Sequence, residues 1–214
     1  MRHAVFFLLT AVLVIATGQT FSAQTPVSPR HEMELANRVG EGNERSFFLF
    51  SIPGGTYIAR HDGLVEASVP GDKRRTFPLR MSRGERLSRL YYSDYEGDLL
   101  LECETSGGRV FAARVQQRTR KIKWTTSLEG YNLGPGLVDD GALFMSAANK
   151  LMSIDLANGD SVWEVSELEG QQSRPYTQFR VPRVRGDIVI FEEDEAKPRT
   201  IEVERSAGRV LRIK

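Results

Sequence analysis

One cysteine, Cys103, in 214 residues rules out an intramolecular disulfide and any zinc site that needs several thiolates. It stands in Leu99-Leu100-Leu101-Glu102-Cys103, the setting of a strand residue packed against a core and not of a reactive thiol. Histidine is almost as scarce: beyond the N-terminal apolar stretch there are only His31 and His61. That argues against a Ser/His/Asp triad and against a histidine-rich metal centre. The chain also lacks a charge imbalance, with a formal net charge of +1, so any electrostatic function must come from a local patch. A G-x-S-x-G elbow and a phosphate-cradling glycine loop are both missing.

There is one long apolar run, and it lies at the N-terminus. Arg2 supplies a positive charge, residues 4–16 are apolar apart from Thr10, and Thr17, Gly18, Ser22 and Ala23 supply small residues. This is the layout of a secretory signal peptide, cut after Gly18 or after Ala23. The run is well short of the roughly 20 residues that span a bilayer. Membrane contact is therefore expected only through the transient signal. With no cysteine near the cut, a lipid anchor has no acceptor. The expected division is a signal at 1–23, a linker at 24–41 with a short helical turn near Glu32 and Arg38, and one domain at 42–214. The expected location is the periplasm or the extracellular space, where nucleic acid is not an expected partner.

From residue 42 onward, short runs of Val, Ile, Phe, Leu and Tyr alternate with Gly, Asp and Asn clusters, the pattern of strands and tight turns. A repeat organises them. Gly97-Asp98-Leu99, Gly141-Ala142-Leu143 and Gly186-Asp187-Ile188 open three units whose starts are 44 and 45 residues apart. Each continues into a second strand (110–115, 150–155 and 200–204), a tighter turn and a third strand. The third strands close at Trp124, Trp163 and Arg212.

The second unit carries a family resemblance. Ser153-Ile154-Asp155-Leu156-Ala157-Asn158-Gly159-Asp160-Ser161-Val162-Trp163 resembles the A-x-D-x-x-T-G-x-x-x-W signature of PQQ-like propeller repeats, found in quinoprotein dehydrogenases and BamB-type assembly proteins. Asp155, Gly159 and Trp163 match outright. The first unit keeps Thr119 and Trp124, with Gln116 for Asp and Arg120 for Gly. The third keeps Gly208, with Glu204 for Asp and Arg212 for Trp. Gly159 allows the positive φ of a tight turn, Asp155 and Asn158 can bond nearby backbone N–H groups, and the tryptophans are placed to bury against a neighbouring unit.

The resemblance implies an all-β fold, a partial or minimal β-propeller of about four PQQ-like units near 46–81, 97–126, 141–165 and 186–214. Residues 42–95 show no signature and form a diverged unit or a cap, with strands at 46–52, 55–60 and 64–69, a turn at His61-Asp62-Gly63 and a further strand near 77–81. With a leader at one end and a closing strand at the other, the chain reads as a whole protein. So few units leave open edges, to be closed by a four-unit ring, an open stack, a second copy or another chain. The quinone and calcium sites of the dehydrogenases do not carry over, because no position matches them. No cofactor and no metal site is expected, and Glu192-Glu193-Asp194-Glu195 and Asp139-Asp140-Gly141 read as turns.

Two charge blocks stand out. Lys73, Arg74, Arg75, Arg80, Arg83, Arg86 and Arg89 make a basic stretch next to Tyr91, Tyr92 and Tyr95, a candidate partner-binding patch. Asp187, Glu192, Glu193, Asp194, Glu195, Glu202 and Glu204 make an acidic one. Either the two set the register of first and last units facing each other, or they are solvated loops. Arg118, Arg120, Lys121 and Lys123 read as a solvated basic turn. The functional expectation is an exported, non-enzymatic scaffold that binds protein. The alternatives are a diverged quinoprotein-like enzyme and a structural subunit completed by another chain.

Overall fold

The computed structural model describes residues 30–40, 46–68, 71, 75–148, 150–166 and 177–214, and every regular element among them is a strand. Four antiparallel sheets follow one another along the chain. Blade 1 contains β4 (Phe47–Ile52), β5 (Gly55–Arg60), β6 (Leu64–Ser68) and β7 (Arg75–Pro78). Blade 2 contains β8 (Leu87–Tyr95), β9 (Asp98–Thr105), β10 (Arg109–Gln116) and β11 (Lys121–Glu129). Blade 3 contains β12 (Leu137–Asp139), β13 (Ala142–Ala147), β14 (Lys150–Asp155) and β15 (Ser161–Val165). Blade 4 contains β16 (Arg183–Arg185), β17 (Ile188–Glu192), β18 (Thr200–Glu204) and β19 (Val210–Ile213). The all-β propeller architecture expected from the sequence is present, as an arc and not as a closed ring.

Three apolar clusters weld the arc. Phe48, Phe50 and Tyr57 of blade 1 pack with Leu99, Leu101 and Phe111 of blade 2. Leu100 and Trp124 of blade 2 pack with Leu143, Met145 and Ile154 of blade 3. Phe144 and Trp163 of blade 3 pack with Phe191, Ile201 and Val203 of blade 4. Because blade 2 is covered on both faces, β9 and β10 are apolar on successive residues, where a one-sided sheet would alternate. Blade 1 does alternate: Phe48, Phe50 and Ile52 are buried, while Phe47, Leu49 and Ser51 face away.

The signature residues build the contacts between blades. The Trp124 indole N–H donates to the carbonyl of Leu156 at 3.1 Å, and its ring lies on Gly159. The Trp163 N–H donates to the carbonyl of Arg205 at 2.7 Å, with its ring on Gly208. Each tryptophan thus docks on the last turn of the next blade. Within that turn Asp155 accepts the Ala157 N–H at 2.7 Å and Asn158 accepts the Asp160 N–H at 2.9 Å, as the residue types suggested. The first interface is built differently. Blade 1 supplies no tryptophan, and Arg120 occupies the glycine position at φ 58°, its guanidinium 5.7 Å above the Tyr57 ring. Arg120 is therefore buried and not on a solvated turn, and Lys123 reaches Asp98 at 2.5 Å; Arg118 and Lys121 are exposed as expected.

The expected linker is part of the fold. Residues 31–39 form no helical turn but three short strands, β1 (His31–Glu32), β2 (Glu34–Leu35) and β3 (Asn37–Val39). They pair in turn with β12, β8 and β4, the first strands of blades 3, 2 and 1. Between them, the Met33 N–H donates to Gly136 and the Ala36 N–H to Leu90, both at 2.9 Å. At the near end Arg30 reaches blade 4, donating to the Val184 carbonyl at 3.2 Å while pairing with Asp139 at 3.0 Å. This strap satisfies the open edges of three blades with the chain's own backbone.

The docking contacts predict unequal costs for one substitution. Gly159→Ala and Gly208→Ala place a β carbon 2.5 and 2.6 Å from a tryptophan ring as well as at positive φ. Gly97→Ala and Gly186→Ala meet nothing within 4 Å and carry only the φ cost, about 1 kcal/mol. Urea unfolding should show the first pair losing clearly more stability than the second.

Candidate functional site

The strap and the blade edges beneath it form the most constructed region of the described surface. A cleft of about 510 Å³ opens between β1, β2, the end of β8 and the β4–β5 turn, lined by Glu32, Glu34, Tyr92, Asp94 and Glu96. Its carboxylates are largely committed. Glu34 accepts the Tyr92 hydroxyl at 2.7 Å, Asp94 accepts the Gln117 amide at 3.2 Å, and Glu96 pairs with Arg114 at 3.1 Å. Burial, reinforced by Glu34, pushes the Tyr92 phenol up to about 12. Among the described residues no three His, Cys, Asp or Glu side chains gather as a metal site. Cys103 is sealed inside β9, its thiol pushed up by burial, and the strap lies on the first strands of three blades.

One group under the strap has the environment of a functional acid. Glu102, on β9, is fully buried between β8 and β10, opposite Tyr91 and Ala112. Its Oε2 accepts the Gly136 N–H at 2.9 Å, and its Oε1 has no partner. Gly136 makes room for it: a β carbon there would lie 2.2 Å from Oε1. Burial drives the carboxyl up to about 8, only partly offset by the Gly136 bond. Two residues on, Glu104 accepts the Asn132 and Leu133 N–H groups at 3.1 and 3.2 Å and lies 3.7 Å from Arg89. The two carboxyls thus hold the loop that leads into blade 3. The sequence reading missed Glu102, because an acidic residue after three leucines reads as the solvent face of a strand.

The basic stretch is divided by the fold. Lys73 and Arg74 lie outside the described residues. Arg75 begins β7, Arg80 and Arg83 are exposed on the loop between blades 1 and 2, and Arg86 is half-buried before β8. The loop is pinned from below. Arg109 pairs with Glu85 at 2.8 Å and also donates to the Arg80 carbonyl at 2.8 Å, and the Arg109 bond holds the Glu85 carboxyl below its usual range. Tyr91 and Tyr95 are buried between blades and supply no aromatic surface to this patch. Much of the acidic block is paired locally. Glu192 pairs with Arg180 and Arg183, each at 2.7 Å, Glu202 with Lys214 at 2.7 Å, and Glu204 with Arg209 at 3.0 Å, all on blade 4 or its leading loop. Glu193 is buried against Arg199.

The two ends of the arc differ in chemistry. The outer face of blade 4 carries those ion pairs, with Arg212, exposed, where a docking tryptophan would stand. The outer face of blade 1 carries Val39, Phe47, Leu49 and Ile58, neighbours across β3, β4 and β5. Val39 and Leu49 are 39% and 36% exposed.

No protein-family model matches the chain, and no curated protein matches it. Solved structures do. BamB from Moraxella catarrhalis is similar at 13% identity and a TM-score of 0.52, over 85% of this chain and 51% of that one. The quinohemoprotein alcohol dehydrogenase ADHIIG from Pseudomonas putida HK5 is similar at 12% identity and a TM-score of 0.51, over 85% of this chain and 36% of that one. The chain spans about half or less of the length of these proteins. The likeness is one of fold. A shared fold does not by itself choose an activity.

Glu102 predicts an unusual pH dependence. Its folded value of about 8 lies above the ordinary 4.5 of an unfolded chain. The stability it permits is therefore complete below about pH 4.5 and is lost as the pH climbs toward 8. Glu102→Gln removes this loss but leaves a fixed cost for its own unpaired amide. The unfolding free energy of the variant relative to wild type should rise by about 3–5 kcal/mol between acid and mildly alkaline pH. Urea titrations across that range measure it, and a constant difference is the contrary result.

Proposed function

We propose that this chain is an exported propeller scaffold, not an enzyme, and that another protein surface covers the outer face of blade 1. The observation that carries the reading is the contrast between the two ends of the arc. Inner faces of all four blades are closed by apolar packing, and on the outer face of blade 4 Ile188 and Ile190 lie among ion-paired carboxylates, with Leu211 exposed on β19. The outer face of blade 1 has an apolar centre at Val39, Phe47, Leu49 and Ile58 and no described blade against it. Sheet faces of this composition are stable in water when another layer covers them. The covering layer is a different chain or a second copy of this one. Export rests on the arrangement of Arg2, the apolar run and the small residues that follow it.

Two measurements test the proposal. Expressed in a secreting host, the mature protein should begin at Gln19 or Gln24 by intact mass; an uncut chain retained in the cell contradicts export. Affinity capture from the native cell, with native mass measurement of the purified protein, should yield a stoichiometric partner or a dimer. Leu49→Glu should abolish either while keeping the wild-type circular dichroism and melting temperature. A wild-type monomer that captures nothing, or a variant that retains the same partner, overturns the binding role.

A further inference from the structure

We propose that Glu102 is a proton-controlled latch for the strap: protonated, it holds the loop on which the strap docks, and on ionisation it releases the N-terminal part of the strap from blade 3. The geometry is a short chain of contacts through one peptide. The Gly136 N–H donates to Glu102 at 2.9 Å, and the carbonyl of the same residue accepts the Met33 N–H of the strap at 2.9 Å. The next two residues, Leu137 and Val138, are the ones that pair with Glu32 and His31. Whatever moves Gly136 therefore moves the seat of β1.

Room for that movement has to be made, because none exists in the closed state. Glu102 Oε1 lies where a β carbon of Gly136 would be, and the carboxyl is fully enclosed. Among the described residues a carboxylate there has one N–H and no cation; that bond favours the ionised form, and burial outweighs it. On β8, Tyr91 stands opposite it, with its hydroxyl accepting the Gln178 amide at 3.5 Å, and burial has already pushed that phenol up. Arg89 is turned to Glu104 and to the Leu133 carbonyl at 2.8 Å. On β10 the facing residue is Ala112, and on β9 the neighbouring Cys103 thiol is buried on the blade 1 side. From the strap, Met33 is the residue buried nearest this loop, between His31 and Glu34. An ionised Glu102 must recruit water, and the loop at Gly136 lies directly against its carboxyl. β1 is two residues long, and Arg30 anchors its leading end to Asp139.

Opening would free the first strand of blade 3 and residues 30–33 together, exposing an unpaired sheet edge. The remaining strap contacts, β2 on β8 and β3 on β4, do not pass through Gly136 and are expected to persist.

Amide hydrogen exchange on the full-length mature protein tests this, with rates corrected for intrinsic pH dependence. Between about pH 6 and about pH 9, protection of the Met33 and Leu137 region should fall at least about tenfold in wild type, as the carboxyl crosses its folded value. Protection in β17 and β18 of blade 4 should change less. In Glu102→Gln the strap should show no such fall. Glu102→Met, which cannot ionise and fills the same space, should behave like Gln if the Gln variant folds poorly. The latch is overturned if wild type keeps its protection throughout, if both variants lose it as wild type does, or if blade 4 loses protection in parallel with the strap.

Discussion

The joins of blade 2 to blade 3 and of blade 3 to blade 4 depend on a tryptophan ring lying on the glycine of the next blade's last turn. Trp124 on Gly159 and Trp163 on Gly208 do three things at once. They cover apolar area between sheets, satisfy a buried indole N–H with a turn carbonyl, and fix the spacing from one blade to the next. That spacing brings the first strands of successive blades to one side, near enough for a nine-residue strap to cross three of them at three residues per blade. The cleft, the buried Glu102 and the loop around Gly136 all lie where the strap meets these strands.

The interfaces also show how the same contact is replaced when its parts are missing. Between blades 1 and 2 the ring is Tyr57 and the turn residue is Arg120, so the polarity is reversed: the turn now supplies the group that packs and the sheet supplies the platform. A positive φ at a non-glycine residue is tolerated there because no indole needs to approach the backbone. At the far end Arg212 stands at the tryptophan position of blade 4, exposed on a face whose carboxylates are matched by their own arginines and lysine. Blade 4 interleaves Ile188 and Ile190 with ion-paired carboxylates on that face. Blade 1, with Val39 and Leu49 in view, is not built in the same way.

How much of this was legible beforehand depended on which physical signal each part carries. Strands β4, β5, β9, β10, β14 and β18 announced themselves through alternation or β-branched runs between glycine turns. Trp163, Gly159 and Asp155 were readable as a packing and turn set because their chemistry is local. The first strands of blades 2 to 4 were not read as such. Two of them are three residues long, and β8 mixes Arg89 and Asp94 with three tyrosines that face two different neighbours. The strap left almost no trace, since its hold is backbone pairing and only Met33 and Ala36 are buried. Glu102 was invisible for a different reason: its burial is set by Gly136, thirty-four residues away, and by a strap that no periodicity revealed.

The central claim is that the strap closes the inner edges of blades 1 to 3 and that the outer face of blade 1 is left for another protein surface. The most direct test is covalent footprinting of apolar side chains by a photoactivated carbene, in the intact native cell and on the dilute purified protein. Val39, Leu49 and Ile58 should be protected in the cell and labelled in the purified protein, with Leu211 of blade 4 labelled in both. Equal labelling of Val39, Leu49 and Ile58 in the two settings would contradict it.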